Sequence, residues 1–279
     1  MGGFSPDWLA LREPFDHAAR NPQLLAAVGA QFAAKPSITV VDLGCGAGSN
    51  LRGTFSALPQ RQHWTLVDYD ERLLAAARER LTAWADESRE QGEELVLSKA
   101  GKALTVDFRK ADLNKELEWV LGWQPDLVTA AALFDLASKR WIERFVAALA
   151  SQRLPLYTVL TYDGRETWKP PHPADARILA AFKHHQLTDK GFGPAAGPAA
   201  TEIMAEAFRK TGFAVSTGDS PWLIEDGAGA FANALTAGIA DAVRETGHLD
   251  AATIADWLEA RRQSSSGLVG HHDLWARPV

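Results

Sequence analysis

From Val40 to Asn50 the chain reads VVDLGCGAGSN. An apolar run ends in the acid Asp42, Gly44, Gly46 and Gly48 stand on alternate positions, and a helix start follows. Glycines let a ligand approach the backbone closely, and the helix N-terminus behind them favours a negative group. A carboxylate at the strand end attracts an ammonium and repels a pyrophosphate. Both ends together suit a ligand carrying an ammonium and a carboxylate on one carbon, which is an amino acid terminus. A dinucleotide fingerprint is spaced G-x-G-x-x-G, and here Ser49 stands where its last glycine would.

Two further acids follow in order. Val67-Asp68-Tyr69-Asp70 closes a second apolar run, with Asp68 twenty residues beyond Gly48, where an acid accepts both ribose hydroxyls in nucleotide sites. Ala111-Asp112-Leu113 closes a third, where a carboxylate accepts from the exocyclic amine of adenine. Amino acid, ribose and adenine along one edge spell S-adenosyl-L-methionine. Taken singly, each signal has a plainer reading: a tight turn, a helix cap at Asp68, a turn residue at Asp112.

The elements that must position these acids follow from periodicity. Ile38–Leu43 is β-branched and continuous, as expected of a strand buried on both faces. Ser49–Leu58 predicts a short helix, and Trp64–Val67 a strand. Asp70 predicts the cap of a helix with Leu73, Leu74, Ala77, Leu81 and Trp84 on one face. Leu95–Ser98 and Leu104–Phe108 predict paired strands turning at Ala100-Gly101, and the acidic block Asp86–Glu94 a solvated helix end or loop. A buried strand follows Pro125, then a helix over Ser138–Leu149 and a strand over Leu156–Thr161. Past Gly164 come a helix over Ala174–His185, a glycine and proline loop, and a helix over Pro198–Lys210. Strands over Phe213–Ile224 and Gly267–Ala276 enclose two helices, about Asp226–Thr246 and Asp250–Gln263. Strand alternating with helix predicts a doubly wound, mostly parallel α/β sheet with its ligand beyond the carboxyl ends of the strands.

VVDLGCGAGSN, LVDYDERLL, KADLN and DLVTAAA resemble the successive motifs of the class I S-adenosylmethionine-dependent methyltransferases over roughly Ile38–Gly164, and LWARP is similar to their last strand. The resemblance implies a seven-stranded Rossmann-like sheet with an antiparallel last strand and helical lid insertions, in a single domain over 1–279. Its parts would be an N-terminal helical cap (1–37), the cofactor-binding core (38–164), a lid and helix (165–212), and terminal strands with a helical insertion (213–279). It implies transferase activity with S-adenosyl-L-methionine as cofactor and S-adenosyl-L-homocysteine as product. Asp42, Gly44, Cys45, Gly46 and Gly48 would take the methionine end and Asp68 the ribose. Tyr69 would pack on adenine, Asp112 and Leu113 would read its edge, and Ala131 would offer backbone near the methionine.

The reagent carries its own reactivity, so the protein chiefly orients the acceptor and excludes water, and needs a base only if the acceptor sheds a proton. Family patterns for DNA amino-methylation, pyrimidine C5-methylation, protein arginine methylation and magnesium-dependent catechol methylation are missing, which leaves a small-molecule O- or N-acceptor. Trp168–Pro198 predicts a lid over it. His185, Asp163 and Tyr162 are the catalytic candidates, and Asp135, His172, His184 and Trp168 the substrate-binding ones. Each has a structural alternative, as a solvated side chain or a turn cap. The N-terminal stretch SPDWLALREPFDHAARNP predicts a helix closing over the cofactor, with Arg12 or Arg20 pairing a carboxylate or merely bridging at the surface.

A formal net charge of −6 disfavours nucleic acid as a partner. The lone cysteine, Cys45, excludes an internal disulfide and a multi-cysteine zinc site, and no metal is expected. With no apolar run near ~20 residues and no basic-then-apolar start, a cytoplasmic protein without membrane association is expected. Two rival classes remain: a catalytically idle cofactor-binding module serving as sensor or partner scaffold, and a nicotinamide oxidoreductase. The sequence leaves the oligomeric state open.

Overall fold

The computed structural model describes residues 5–225, 228–262 and 266–279. The first strand, β1 (Ser37–Leu43), shows how the centre is built. Ile38 and Val40 enter one apolar cluster, while Val41 and Leu43 enter another on the opposite face. A strand buried on both sides needs such an unbroken apolar run.

Beside it lie β2 (Arg61–Asp68), β5 (Lys102–Lys110) and the hairpin β3–β4 (Glu87–Gln91, Glu94–Lys99) on one side. On the other lie β6 (Leu127–Ala131), β7 (Leu156–Lys169), β10 (Ser266–Pro278) and β8 (Phe213–Asp219). The order is β3-β4-β5-β2-β1-β6-β7-β10-β8, with the short β9 (Trp222–Ile224) pairing β10. Strands β5, β2, β1, β6 and β7 run parallel, and β10 is antiparallel to both its neighbours. The expected seven-stranded core is present, and three further strands enlarge it. The acidic block forms β3, all five residues exposed, because the chain returns at once along the edge of β4 and backbone pairing needs no apolar side chains there.

One face carries α1 (Pro6–Ala19), α2 (Pro22–Phe32), α3 (Ser49–Thr54), α4 (Glu71–Trp84), α7 (Asp175–Gln186), α9 (Gly229–Thr246) and α10 (Ala251–Arg262). The other carries α5 (Leu113–Leu121), α6 (Lys139–Gln152) and α8 (Ala200–Lys210). Asp70 caps α4 by accepting from the Arg72 N–H, and Leu73, Leu74, Ala77 and Leu81 form its buried stripe. Helix α5, not anticipated from the sequence, starts at its cap Asp112 and buries Leu113, Leu117, Val120 and Leu121. Pro198 falls in a 3-10 turn just ahead of α8. Asp226 and Gln263, read as ends of the two late helices, adjoin or lie in stretches outside the described residues.

Strand β7 continues eight residues past Thr161, the end expected from sequence. Its pairing with β10 shifts register between Val269 and His271 and again between His272 and Leu274. At the second shift Asp273 turns inward: Oδ1 accepts from the Leu160 N–H at 2.9 Å and Oδ2 from the Asn21 N–H at 2.8 Å. At the first, a Cβ on Gly270 would lie 2.2 Å from Asp163 Oδ1, so any larger residue would have to displace that carboxylate. Bulges bend a ribbon. This pair carries the β7–β10–β9 extension past the carboxyl ends of β6 and β7, where α1, α7, α9 and α10 pack on it.

Candidate functional site

The glycine turn between β1 and α3 has φ of +62°, +53° and +77° at Gly44, Gly46 and Gly48, a region costly for other residues. It is laced to the neighbouring loops. The Cys45 N–H donates to Val67 O at 3.0 Å and the Gly46 N–H to Asp68 Oδ2 at 2.9 Å. Asp68 Oδ1 accepts from the Asp70 N–H at 3.0 Å, and Asp68 O from the Ala111 N–H at 3.0 Å. Thus the ends of β1, β2 and β5 form one continuous rim. Burial raises the Asp68 carboxyl above its usual range, against the N–H groups that hold it down. Each of its oxygens keeps a lone pair for a further donor such as a ribose hydroxyl.

Asp42 lies beneath the turn and is fully buried. Its Oδ1 accepts from Asn50 Nδ2 at 2.7 Å, while Oδ2 has no partner. Burial pushes its carboxyl up to about 7. Asn50 also donates to Thr129 Oγ1 and accepts from Arg20 Nη2 at 2.8 Å; Arg20 Nη1 donates to Thr54 Oγ1 at 2.9 Å. The sequence marked Asp42 but missed the importance of Asn50 and Thr129, whose only signal was polarity inside buried elements. Arg20 and Arg12, at 7% and 8% exposure, are interior residues, which removes surface bridging as their role. Directly over the turn, a Cβ on Gly46 would meet Leu9 of α1 at 3.1 Å and one on Gly44 would meet Leu133 at 3.2 Å. The first helix therefore rests on the turn, as a cap would. Cys45 is buried, and burial raises its thiol far above the range of a reactive thiolate, which suits its contributing backbone only.

At the β2 and β5 end, Tyr69 is 63% exposed beside Asp68. Asp112 caps α5 through Asn114 N–H and pairs with Lys115 at 2.9 Å, and this lysine, ahead of other causes, holds its carboxyl below the usual range. Leu113 is buried behind it. The Trp168–Pro198 segment reaches this point, since Asn114 Nδ2 donates to Gly191 O. If a flat ring docks here, Tyr69 is its exposed cover. Tyr69→Ala is expected to weaken S-adenosylhomocysteine binding about tenfold through lost stacking while leaving the melting temperature unchanged, as calorimetry and a thermal melt will read.

Beyond β6, Ala131 ends the strand and Ala132 takes φ +51°. Asp135 follows, buried, with Oδ1 unpartnered and its carboxyl pushed by burial up to about 6. His271, 4% exposed, faces Tyr162 across the β10–β7 pair. Its Nδ1 is unpartnered, and burial drives its pKa down to about 3, so the ring is neutral at physiological pH. The His271 ring lies 4.6 Å from Trp222, and the Arg12 guanidinium sits 4.9 Å from the same indole while its Nε donates to Asp16. The Arg12 charge bears on both Asp135 and His271. Arg12, Asp135, Tyr162 and His271 thus converge between α1, the β6 loop and the β7–β10 extension.

The remaining sequence candidates, and the partners of Tyr162, lie along β7 and in the segment after it. Tyr162 Oη donates to Glu166 at 2.9 Å, and burial raises its hydroxyl well above the usual range, which makes it a proton donor and not a base. Asp163 accepts from the Arg165 N–H and Nε. His185 engages Glu245 and Lys190, the His184 ring lies 4.5 Å from His248, and His172 pairs with Asp256; these contacts join α7 and the segment before it to α9 and α10. Trp168 is buried edge-on to Trp257. His271, not among the sequence candidates, joins the cluster instead.

No family profile matches the chain, and no curated protein matches its sequence. Solved structures do match. A cyclopropane-fatty-acyl-phospholipid synthase-like protein from Lactobacillus casei is 16% identical, aligned over 100% of this chain and 95% of that one, with a TM-score of 0.57. A cyclopropane synthase from Mycobacterium tuberculosis is 13% identical over 98% of this chain and 95% of that one, at 0.50. With the strand order above, these likenesses establish a Rossmann-like methyltransferase fold.

Proposed function

We propose that this protein binds S-adenosyl-L-methionine along the β1–β2–β5 rim and transfers its methyl group to the oxygen or nitrogen of a small molecule. The observation that carries the reading is the buried, unpartnered Asp42 Oδ2 under a left-handed glycine turn that is itself bonded to Asp68. An orphan carboxylate oxygen inside a protein is costly unless a partner arrives, and a ligand ammonium supplies one. Gly44, Cys45, Gly46 and Gly48 offer backbone to the amino acid end, Asp68 accepts ribose hydroxyls, and Tyr69, Asp112 and Leu113 frame the adenine. Ala131 borders the methionine chain.

When bound, the cofactor supplies an electrophilic methyl on a sulfonium, which needs no further activation. The chain's own work is to orient the acceptor and hold its proton. Asp135 and the neutral His271 present two unpaired acceptor atoms, which favours a substrate donating O–H or N–H. Near neutral pH Asp135 is largely ionised and able to take that proton, with Arg12 stabilising the negative charge. Tyr162 and Asp163 shape the wall, through Glu166 and Arg165. Trp168, His172, His184 and His185 hold the lid closed. Asp135→Asn is expected to lower kcat about 100-fold with KM for the cofactor unchanged; equal loss in both would remove Asp135 from the acceptor side.

The reading extends to one domain over 1–279 acting in the cytoplasm on a metabolite, and a net charge of −6 argues against a nucleic-acid acceptor. Among the described residues no helix is long and apolar enough to cross a membrane. Thermal melts test the cofactor directly. Stabilisation by S-adenosylhomocysteine but not by NAD is expected, and the reverse would point to a nicotinamide enzyme. Labelled S-adenosylmethionine with fractionated metabolite extract should yield a labelled product. Tight binding with no transfer across all fractions would favour an idle sensor module.

A further inference from the structure

Away from the rim, the face of β2 and β5 that looks toward α5 carries polar side chains at alternate positions: His63 and Thr65, Asp107 and Arg109. Thr65 pairs with Asp107 and His63 with Thr105, so His63 and Asp107 are diagonal neighbours on that face. In the β4–β5 ladder Leu95 pairs with Val106, which sets Glu94 opposite Asp107. We propose that His63, Glu94 and Asp107 bind a divalent transition-metal ion.

The donor atoms of the three residues all lie within 4.8 Å of one another, and His63 Nε2 is 2.7 Å from Asp107 Oδ2. Ligand atoms about a zinc-sized ion stand roughly 3 Å apart, so only Glu94 has to close in. Its carboxylate has no hydrogen-bond or ion-pair partner among the described residues. Asp107 is anchored by Arg109 Nη2 at 3.1 Å on Oδ1, and on Oδ2 the ion would take the place of the proton shared with His63 Nε2. Two carboxylates offset a double positive charge, and the imidazole nitrogen favours zinc over magnesium or calcium. The site is also open. A cavity of about 360 Å³ is lined by Thr65, Asp107, Arg109, Trp119 and Trp123, and a second of about 210 Å³ by His63, Thr65 and Trp123 among others. The groove they make leaves room for water or an oxygen-bearing ligand on the ion.

A second cluster, Asp163, Asp219 and His272, has comparable spacing but already holds a cation: Arg165 bonds Asp163 through Nε at 2.7 Å and Asp219 through Nη2 at 2.9 Å. It serves as an internal control. The full chain, stripped with chelator, is titrated with Zn²⁺ and with Mn²⁺ by calorimetry, and Co²⁺ is followed by its visible spectrum. A single equivalent binding in the micromolar range is expected, weakened at least about tenfold by His63→Ala and by Glu94→Gln but not by His272→Ala. Glu94→Gln removes no hydrogen bond, so an unchanged metal-free melt shows that any loss is local. Absence of stoichiometric binding at submillimolar free metal, equal binding by all variants, or loss only in His272→Ala would each overturn the assignment.

Discussion

Asp42→Asn weakens S-adenosylhomocysteine binding by about 30-fold near pH 8, the loss of one charge-assisted hydrogen bond worth about 2 kcal/mol. The pH dependence is the sharper signature. In the free protein burial lifts the Asp42 carboxyl from 3.8 to about 7. A group raised in the folded state contributes stability below its unfolded value and loses it as pH rises through the folded one. Stability therefore falls between about pH 4 and pH 7, where the unfolded carboxyl ionises while burial keeps Asp42 protonated, and the cost stays in full above pH 7. A ligand ammonium binds that charged form, so wild-type affinity falls about tenfold per unit as pH drops below about 7. In Asp42→Asn this slope disappears, leaving only the shallower dependence from Asp68, while the melting temperature at neutral pH holds or rises. Calorimetric titration from acid to mildly alkaline pH reads both. Identical profiles for wild type and variant would remove Asp42 from the binding site and, with it, the foundation of the cofactor assignment.

The largest loss of stability is expected from Arg20→Met. The guanidinium is buried and donates to Asn50 Oδ1 and Thr54 Oγ1, and its charge favours the Asp42 carboxylate. Truncation removes both bonds, leaving Asn50 Oδ1 with only the long Thr54 Oγ1 contact at 3.4 Å, and takes away a charge that favours the buried Asp42 carboxylate, a change that costs about 3–5 kcal/mol. For a chain of this size the melting temperature drops by about 10 °C. A methionine fills the apolar part of the space, so the loss is electrostatic and not a cavity effect. A second consequence separates this from simple damage: without Arg20, the Asp42 carboxyl rises further, and the midpoint of cofactor binding moves to higher pH. Arg72→Met, which removes an exposed arginine paired with Asp70, changes neither. A destabilised variant with an unmoved midpoint would show that Arg20 supports the fold without tuning the site.

Both expectations rest on side chains that the sequence treated unequally. Val40 to Asn50 announced itself because an apolar run, an acid and spaced glycines make a pattern that local physics allows in few ways: the strand must be buried on both faces, and the turn must take positive φ. The acids Asp68 and Asp112 were legible for the same reason, each ending an apolar run before a helix it then caps or flanks. Parallel strands bring such ends to one rim without further instruction. The alternation of strand and helix was likewise sufficient for the sheet.

What the linear pattern could not disclose was anything requiring two distant segments to meet. His185 and His184 had the right chemistry, yet contacts to Glu245 and His248 hold them against α9 and the turn after it. His271 was not among the sequence candidates, and only the bulged β7–β10 pairing brings it beside Tyr162 and Trp222. Arg12 and Arg20 read either as partners of a carboxylate or as surface bridges; folding buried both, since α1 packs on α3 and α2 on the turn that follows it. The acidic hairpin strand escaped notice because edge pairing is made by backbone, which side-chain periodicity does not report. Local sequence thus determined the sheet, the turn and the acids on its rim, because each depends on neighbours within a few residues. Tertiary structure alone decided which polar groups lose their water together, and that desolvation sets the charge states on which the chemistry depends.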